Sequence, residues 1–548
     1  MADPFDGALL VLAAAAAAMI AGYGLDLAGL PIHPAVLAAA AIVASVAAVP
    51  FTSPRISRQV SASVPSLLVV AAVLAYGFLA AAPGQLPVTN GPDVVHHLQL
   101  IHVISSTGRL PHGAAQYPFL LEMMNYTPGS HILAAAIATW FRRDALFVVY
   151  PIAVASAAVT SAVLYEIARR VLGSTPRAAM QACAAPVLAS VPVYFFGSFV
   201  PFFFFAQVVS EAFAMGMLLS LVAWLTTSRG SYLWFAAACG AGVVLSWPVW
   251  IVPAAAAASV VALLGASAWR SRLIAIGIAL GPAVVLGVLH QALHRGAASI
   301  VTSEGAVTAP SVAAFGLGFL IVSAAGLVPG VRERAARPVA AFLVATLVLA
   351  AALALLAVRA GSSSFYMPFK MMYLAILPAA VLGAVVLARA SDALAAFLPA
   401  LKGRSTAAGA LSAILPLVVA ASLARHVFPP PRLHRSLTAS AREVGLVARA
   451  RVPPACVDYF SSYWLTGYWL HLDVLGNPRL SGRMRQETFD FPDVAAKWIE
   501  GRGLPYAIVE DMQAIPREIR PDMELLHQSG PFVLVRNRRP AACPEAAR

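Results

Sequence analysis

The sequence predicts an α-helical polytopic membrane protein, with about 13 transmembrane helices and a small C-terminal α/β domain outside the cytoplasm. Of its 548 residues, 60% are hydrophobic and only 11% are charged, which is too apolar for a soluble globular protein. Long apolar runs recur along most of the chain, and a bilayer core of about 30 Å needs roughly twenty helical residues. After the prolines at 429–431, the composition changes to that of a soluble domain.

Thirteen apolar runs are long enough to cross the bilayer. They cover about 7–26, 34–50, 65–83, 145–168, 178–197, 203–226, 231–246, 248–268, 272–293, 311–329, 338–358, 369–389 and 405–427. Only Trp247 and Pro248 divide the two runs within 231–268, and proline removes a backbone donor there. One kinked helix with a re-entrant turn is the alternative, but the length favours two crossings. The first run follows Asp3 and Asp6 without the basic start of a signal peptide, so we expect a permanent helix.

The positive charges indicate a membrane topology and exclude a nucleic-acid partner. The net charge is +13, but the Lys and Arg residues lie in short clusters between the apolar runs and form no basic face. With the N-terminus in the cytoplasm, every inner loop is basic, as expected for loops that stay inside. The inner clusters are Arg55 and Arg58; Arg169, Arg170 and Arg177; Arg229; Arg270 and Arg272; Arg332, Arg334 and Arg337; and Arg389, Lys402 and Arg404.

This topology requires that the apolar segment 129–141 does not cross the membrane. Its thirteen residues would span only about 20 Å as a helix, so we expect the segment to dip in from the outer face and return. Residues 84–144 then form one outer loop of the bundle, which covers residues 1–428. This topology is the one expected for a protein of a bacterial-type cytoplasmic (inner) membrane, with the C-terminal domain periplasmic or extracellular.

Residues 429–548 are predicted to form the soluble extracytoplasmic α/β domain. Short β-like runs occur at 456–460, 506–510 and 532–536, with helical stretches near 436–451 and 493–501. An odd number of spans places this domain outside. Cys456 and Cys543 would then lie in an oxidising compartment, where they either pair in a disulfide or remain free.

The outer loop holds the first candidate site residues. Asp93 follows a Gly-Pro turn, and His96 and His97 come next on a predicted interfacial helix. A carboxylate at this position can accept a proton from a substrate hydroxyl or hold a cation. The alternative is a helix cap, because Asp is a favoured N-cap residue. Further along the loop, the candidates for contact with a substrate are Glu122, Tyr126 and His131.

Two polar residues within a predicted span are also candidates. Glu211 lies about eight residues into the span that begins near residue 203, and a carboxylate there is costly unless it faces a cavity or a partner. Gln207 lies one turn away on the same face. Together with the phenylalanines at 202–205, the two residues would line a polar site under a lipid-facing aromatic wall. The alternative is a buried hydrogen-bonded pair between helices.

Cationic and aromatic residues at the predicted outer ends of spans are candidates for binding a phosphate. They are His290, His294, Arg295, Arg359, Lys370 and Tyr373. The run FYMPFK at 365–370, together with Tyr373, is the best candidate for the phosphate clamp. The alternative for this run is an ordinary aromatic belt with a snorkelling lysine.

These features resemble the GT-C superfamily of membrane glycosyltransferases, which includes aminoarabinose, mannosyl and arabinofuranosyl transferases. The resemblance rests on the outer acid Asp93, the interfacial helix after it, Gly-Arg-Leu-Pro at 108–111 and Tyr-Thr-Pro-Gly-Ser-His at 126–131. It implies transfer of a sugar from a polyprenyl-phosphate donor to a glycan, lipid or protein acceptor of the cell envelope. By position, Asp93 matches the superfamily's catalytic acid and would be the general base of an inverting reaction.

Other readings of the sequence stay open. A divalent metal held by Asp93 and Glu122 is an alternative, although many members of the superfamily use no metal. Glu211 would be an ion or proton site if the chain were a lipid or sugar transporter or a flippase, but the paired broken helices expected of a transporter are not evident. A non-catalytic GT-C-like assembly protein is the third reading.

Overall fold

The computed structural model of the chain describes residues 7–52, 56–81, 93–112, 116–143, 145–193, 204–265, 268–294, 307–361, 364–397, 405–424, 435–462, 466–467, 470–474 and 490–543. The described part is mostly helical. The N-terminal helices are α1 (Gly7–Leu27), α2 (Pro34–Thr52), α3 (Ile56–Ala81), α4 (Asp93–Thr107), a 3-10 helix (Pro118–Asn125), α5 (Gly129–Phe141), α6 (Leu146–Leu172), α7 (Pro176–Ala182) and α8 (Ala184–Ala189).

The second half of the bundle begins at α9 (Phe205–Thr227) and continues in the same way. Its helices are α10 (Ser231–Ser246), a 3-10 turn (Pro248–Trp250), α11 (Ile251–Gly265), α12 (Trp269–Leu293), α13 (Val312–Phe315), α14 (Leu317–Arg332), α15 (Arg337–Arg359), α16 (Tyr366–Leu374), α17 (Ile376–Phe397) and α18 (Ser405–Leu423).

The chain is a multi-pass membrane protein by the length and composition of its helices. Among the described residues, 7 helices are long and apolar enough to cross a membrane: Gly7–Leu27, Phe147–Leu172, Phe205–Thr227, Pro248–Gly265, Trp269–Leu293, Arg337–Arg359 and Tyr366–Phe397. Shorter apolar helices cover Pro34–Val49, Val64–Phe78, Gly129–Phe141, Ser231–Ser246, Leu317–Arg332 and Gly409–Leu423. The number thirteen, and the dip of 129–141, remain predictions.

The predicted continuous span at 178–197 is wrong in one respect. The chain forms α7 up to Ala182 and α8 from Ala184, with a turn at Cys183 between them. Pro186 has no backbone N–H to donate to the Ala182 carbonyl, and its ring crowds that carbonyl. Two short helices therefore replace the first part of this span.

Helix α9 lies at the centre of the bundle. Nearly all of its residues are buried, which fits a helix that is apolar on every side. It packs against α6, α10, α11 and α1. Helix α5 also contacts α9, and Gly129 begins α5 close to α10. A Cβ at Gly129 would lie 2.8 Å from the Leu245 carbonyl oxygen, so only glycine permits this approach.

The helix is interrupted at Trp247, between α10 and the 3-10 turn, where the sequence predicted a break. The backbone of Trp247 is extended there, with φ −149 and ψ 92. Its freed carbonyl accepts a hydrogen bond from the Ser210 hydroxyl of α9 at 3.3 Å. The indole of Trp247 is 2% exposed, so the turn brings a large aromatic side chain into the interior.

The C-terminal residues form a four-stranded sheet with two helices. The strands are β1 (Val457–Phe460), β2 (Tyr506–Val509), β3 (Met523–Ser529) and β4 (Phe532–Asn537), in the order β1-β2-β4-β3. Strands β1 and β2 are parallel, and the other pairs are antiparallel. The helices are α19 (Arg435–Arg451) and α20 (Phe491–Ile499).

Two features hold this α/β unit together. The buried carboxylate of Asp458 accepts hydrogen bonds from Lys497 Nζ at 2.6 Å, Trp498 Nε1 at 2.8 Å and Leu504 N at 2.8 Å. A disulfide joins Cys456 and Cys543, whose Cα atoms are 5.2 Å apart. A π-helical turn, Leu470–Val474, contacts both α19 and α4, so the unit touches the bundle at α4.

Acid is expected to loosen the α/β unit through His471 of this turn. Its Nδ1 lies 3.0 Å from the Tyr459 hydroxyl, and burial lowers the pKa of His471 from 6.5 to about 3. The unfolded chain therefore binds more protons than the folded chain between these pH values, and stability falls as the pH falls through this window. Within this window, His471 changes the free energy of unfolding by at most about 1.4 kcal/mol per pH unit.

Amide hydrogen exchange of β2 in the full-length protein would measure this effect at pH 7.5 and pH 5. Exchange should be faster at pH 5 after correction for the intrinsic rate. His471→Asn keeps a hydrogen-bonding group near the Nδ1 position and should show a smaller difference between the two pH values. An identical difference in the variant would contradict this role of His471.

Candidate functional site

The ammonium of Lys370 is surrounded by aromatic rings, which we call the aromatic cage. The Lys370 side chain belongs to α16 and is only 1% exposed. The Nζ atom lies 3.9 Å from the centre of the Phe204 ring, 3.9 Å from that of Tyr366 and 5.2 Å from that of Trp247. Ring faces attract cations. The Lys370 ammonium also donates a hydrogen bond to the Tyr366 hydroxyl, which lies one helical turn earlier.

Gln207 brings the start of α9 to the same ammonium. With its amide oriented so that the oxygen faces Lys370, this oxygen accepts from Nζ at 3.0 Å and the amide nitrogen donates to the Phe204 carbonyl at 3.2 Å. Phe204 is the N-cap residue of α9. The first turn of α9 therefore supplies both a ring face and an amide oxygen to Lys370.

A pair of buried histidines lies in the same region. The Nδ1 atom of His97 on α4 is 2.8 Å from the Nε2 atom of His131 on α5, and both rings are buried. Burial lowers the pKa of His97 well below 6.5, and the neighbouring charges of His131, His96 and Lys370 lower it further. His97 is therefore neutral at neutral pH.

Aromatic rings connect the histidine pair to the lysine cage. Tyr126 meets the rings of His97 and His131 edge-on, with centroids 5.6 Å and 5.5 Å away. Phe205 meets the same two rings at 5.8 Å and 6.0 Å. Tyr126 also packs on Trp247 at 5.5 Å. We call the whole cluster the central site; it consists of His97, Tyr126, His131, Phe204, Phe205, Gln207, Trp247, Tyr366 and Lys370.

The central site brings together five residues that the sequence predicted, from four separate parts of the chain. They are His97, Tyr126, His131, Gln207 and Lys370. The sequence analysis did not single out Trp247 as a site residue, whereas Tyr366 belongs to the run at 365–370 that was predicted with Lys370. Tyr366 stands four residues before Lys370, a spacing that places two helical side chains on one face.

Asp93 begins α4, four residues before His97. The two residues therefore lie on the same face of the helix, one turn apart. The side chains of Asp93 and Glu122, and the whole of Arg295, lie outside the described residues. His96 is half-buried next to His97.

The remaining predicted phosphate ligands lie in other surroundings. Tyr373 donates to the Thr308 carbonyl at 2.7 Å. His290 contacts the Tyr23 hydroxyl and the Asn125 carbonyl, each at 3.2 Å, and stacks on His294 with centroids 4.6 Å apart. Arg359 is exposed at the end of α15. None of these residues contacts Lys370 among the contacts described.

Glu211 lies one turn deeper in α9 than Gln207. Its side chain is buried, and its Oε1 atom has no hydrogen-bond partner within the described part of the chain. The predicted hydrogen-bonded pair with Gln207 is not among the described bonds. Groups of three or more metal-ligating side chains are likewise absent from the described residues.

The chain matches no protein-family profile and no curated protein sequence. Among solved structures, it is similar to ArnT from Cupriavidus metallidurans bound to undecaprenyl phosphate, with 14% identity and a TM-score of 0.47 over 86% of this chain and 98% of ArnT. It is also similar to the Archaeoglobus fulgidus oligosaccharyltransferase AglB in complex with an inhibitory peptide and a dolichol-phosphate, with 11% identity and a TM-score of 0.45 over 81% and 69%.

The apo form of the Archaeoglobus fulgidus oligosaccharyltransferase gives 13% identity and a TM-score of 0.46, again over 81% of this chain and 69% of that chain. ArnT and AglB are GT-C superfamily glycosyltransferases. At these identities and TM-scores, the likeness assigns neither a residue nor an activity to this chain.

Proposed function

We propose that the chain is an inverting GT-C-type glycosyltransferase that uses a polyprenyl-phosphate sugar as donor and modifies an acceptor of the cell envelope. The observation that carries the proposal is the buried ammonium of Lys370, which lies in an aromatic cage close to the helix that begins at Asp93. The donor phosphate would bind at Lys370, and Asp93 would be the general base.

The surroundings of Lys370 suit an anionic ligand. Phe204, Tyr366 and Gln207 give the ammonium a ring face, a hydroxyl and an amide oxygen. Attraction between a cation and a phosphate is strong where water is largely excluded. The aromatic rings also offer apolar surface to the first isoprene units of the lipid.

The chemistry then needs one base and one group that stabilises the leaving phosphate. The Asp93 carboxylate would take the proton from the acceptor hydroxyl while its oxygen attacks the anomeric carbon. The bond between that carbon and the phosphate oxygen breaks, and the electron pair stays on the phosphate beside Lys370. Attack opposite the leaving group inverts the anomeric centre.

The proposal includes a topology. The N-terminus would be cytoplasmic in a bacterial-type cytoplasmic membrane, and the central site would face the outer side. The bundle would comprise residues 1–428 with 84–144 as its outer loop, and residues 429–548 would form the extracytoplasmic domain. The contact of Leu470–Val474 with α4 supports the placement of that domain beside the outer loop.

Release of free undecaprenyl phosphate tests the function. The purified full-length protein would be incubated with radiolabelled undecaprenyl-phosphate pentoses and hexoses and with a cell-envelope extract as acceptor. We expect one donor to lose its sugar to the extract and to yield undecaprenyl phosphate at the same rate. Movement of intact donor across a vesicle membrane without cleavage would instead support the transporter reading.

Glu211 is the observation that favours this second reading, because a buried carboxylate inside a bundle is a common ion or proton site. Under the glycosyltransferase proposal, Glu211→Gln should leave the transfer rate within about threefold of the wild type. Its thermal stability should stay close to that of the wild type, because glutamine has nearly the same size as a buried, neutral glutamic acid.

The transfer assay and thermal unfolding of the purified variant check both expectations. Gln207→Glu serves as the matched control, since it adds a carboxylate one turn away, and it should disturb donor binding at Lys370. Loss of transport of the intact donor lipid in Glu211→Gln, with no transfer in the wild type, would replace the proposal by the transporter.

A further inference from the structure

A largely apolar cavity of about 1010 Å³ lies between α3, α6, α7, α8 and α18. We call it the lateral groove. Leu68 on one wall is 64% exposed and Met180 on another is 44% exposed, so the groove is open to the surroundings of the bundle. In a membrane protein those surroundings are lipid. Its apolar walls include Leu68, Val69, Ala72, Val73, Met180 and Val187.

The length of the lateral groove matches one leaflet of a bilayer. Along α3 the groove extends from Pro65 to Tyr76, which is roughly 16 Å at the rise of an α-helix. Half of a hydrocarbon core of about 30 Å has nearly the same depth. An acyl chain of a phospholipid occupies one leaflet, whereas a polyprenyl chain is much longer.

Among the described residues that line the groove, only Arg169 carries a charge. Its side chain is 8% exposed, and its Nε and Nη2 groups donate to Glu166 Oε2 at 3.0 Å and 2.8 Å. A guanidinium has five N–H donors, and no described hydrogen bond uses those of Nη1. A nearly buried guanidinium with unused donors favours a ligand that presents anionic oxygens.

The end of the groove at Arg169 has an excess of positive charge. Arg170 is the next residue in the chain, and Arg177 at the start of α7 pairs with Asp392 at 3.7 Å. Together with Glu166, this end has three arginines and two carboxylates. A basic pocket between membrane helices is suited to the headgroup of an anionic lipid.

This basic end lies far from the central site. Helix α9 begins in the central site and ends at Thr227, which is roughly 30 Å from Gln207 along the helix. Tyr232 follows shortly after in the chain, and its hydroxyl accepts a hydrogen bond from Arg170 at 3.2 Å. In the proposed topology, the arginines therefore lie at the cytoplasmic face, where anionic lipids are concentrated.

We propose that the lateral groove binds an anionic phospholipid of the cytoplasmic leaflet, with an acyl chain along α3 and the headgroup phosphate at Arg169. This site is separate from the donor site at Lys370 and does not depend on sugar transfer. A zwitterionic phospholipid has the same chains and a phosphate but no net charge, and it binds more weakly to the same groove.

Native mass spectrometry of the full-length protein in detergent tests the proposal, because it resolves the binding of a first lipid molecule. The probes are dioleoyl phosphatidylglycerol, which is anionic, and dioleoyl phosphatidylcholine, which is zwitterionic. We expect the first phosphatidylglycerol to bind about tenfold more tightly to the wild type, as for one charge-assisted contact.

A double substitution tests the role of the guanidinium. Glu166→Gln with Arg169→Gln removes the ion pair without leaving one buried charge alone, and the preference for phosphatidylglycerol should fall to within about threefold. Glu333→Gln with Arg389→Gln is the matched control, because it removes a similar ion pair of 3.0 Å that does not line the groove. This control should keep the tenfold preference.

A second pair of variants tests the groove itself. Ala72→Trp places a large side chain in the groove and should weaken the binding of both phospholipids about tenfold or more. Ala71→Trp adds the same side chain at the next residue of α3, which is exposed and does not line the groove. Its affinities should stay within about threefold of the wild type. Thermal unfolding in the same detergent reports whether any variant disturbs the fold.

Three results would overturn the inference. Equal affinities of the wild type for the two phospholipids would remove the role of charge, and equal losses in Ala72→Trp and Ala71→Trp would place the lipid outside the groove. Displacement of phosphatidylglycerol by undecaprenyl phosphate in the wild type but not in Ala72→Trp would assign the groove to the donor lipid instead. None of these results bears on sugar transfer, and Lys370→Met should bind phosphatidylglycerol as the wild type does.

Discussion

Replacement of Asp93 by Asn is expected to lower the rate of sugar transfer by about 10²–10⁴-fold, the range that a general base contributes. The amide keeps the size and shape of the side chain, but it cannot take the proton from the acceptor hydroxyl. The measurement is the release of undecaprenyl phosphate by the purified variant in the presence of an acceptor.

Two controls separate the loss of the base from a loss of structure. Binding of undecaprenyl phosphate to Asp93→Asn should stay close to that of the wild type, because the phosphate would bind at Lys370. Glu524→Gln makes the same change of acid to amide at an exposed position of β3 and should leave transfer unchanged. Transfer by Asp93→Asn at near the normal rate would remove Asp93 from the mechanism.

Replacement of Lys370 by Met should weaken donor binding by about 10–100-fold, which corresponds to a charge-assisted hydrogen bond. Met fills a similar volume among Phe204, Tyr366 and Trp247 but carries no charge. Met also lacks the hydrogen bond to the Tyr366 hydroxyl, so thermal unfolding must show that the fold is kept while the affinity falls. Titration with undecaprenyl phosphate and thermal unfolding measure the two effects.

Arg359→Gln is the matched control for Lys370→Met. Arg359 was a predicted phosphate ligand, but it is exposed at the end of α15, where water screens its charge. Its loss should change the affinity for undecaprenyl phosphate by less than about threefold. If Arg359→Gln weakened binding and Lys370→Met did not, the phosphate would bind at the exposed Arg359 and not among the rings around Lys370.

Hydropathy was sufficient to predict a helical bundle and three of the four strands, because spanning helices and buried strands are both continuous apolar runs. It missed β3 (Met523–Ser529), whose side chains are mostly not buried. It could not show the break at Cys183. That break depends on one missing donor, the N–H of Pro186, which makes no change in the average hydropathy of the segment.

The central site could be predicted only in part, for a similar reason. Gln207 and Lys370 stand out as polar residues in apolar surroundings, and His97 and His131 as polar residues of the outer loop. The pairing of His97 with His131 could not be predicted, since the two residues are 34 positions apart in sequence and meet only because α4 packs on α5. The sequence analysis used Trp247 only to divide two apolar runs. A tryptophan in an apolar segment gives no sign that its ring will pack beside a buried lysine.

Through the π-helical turn at Leu470–Val474, α4 contacts the C-terminal α/β unit as well as the helical bundle. This helix is packed on α5 within the bundle and on the turn within the α/β unit, so neither body can rearrange without changing the support of the other. Because coupling free energies are reciprocal, an acceptor polymer that ordered the α/β unit would also steady the helix that begins at Asp93. Protonation of His471 in acid would have the opposite effect and make α4 less ordered. Catalysis would then decline in acid because the helix that carries Asp93 is poorly ordered, even while the Asp93 carboxylate is still ionised.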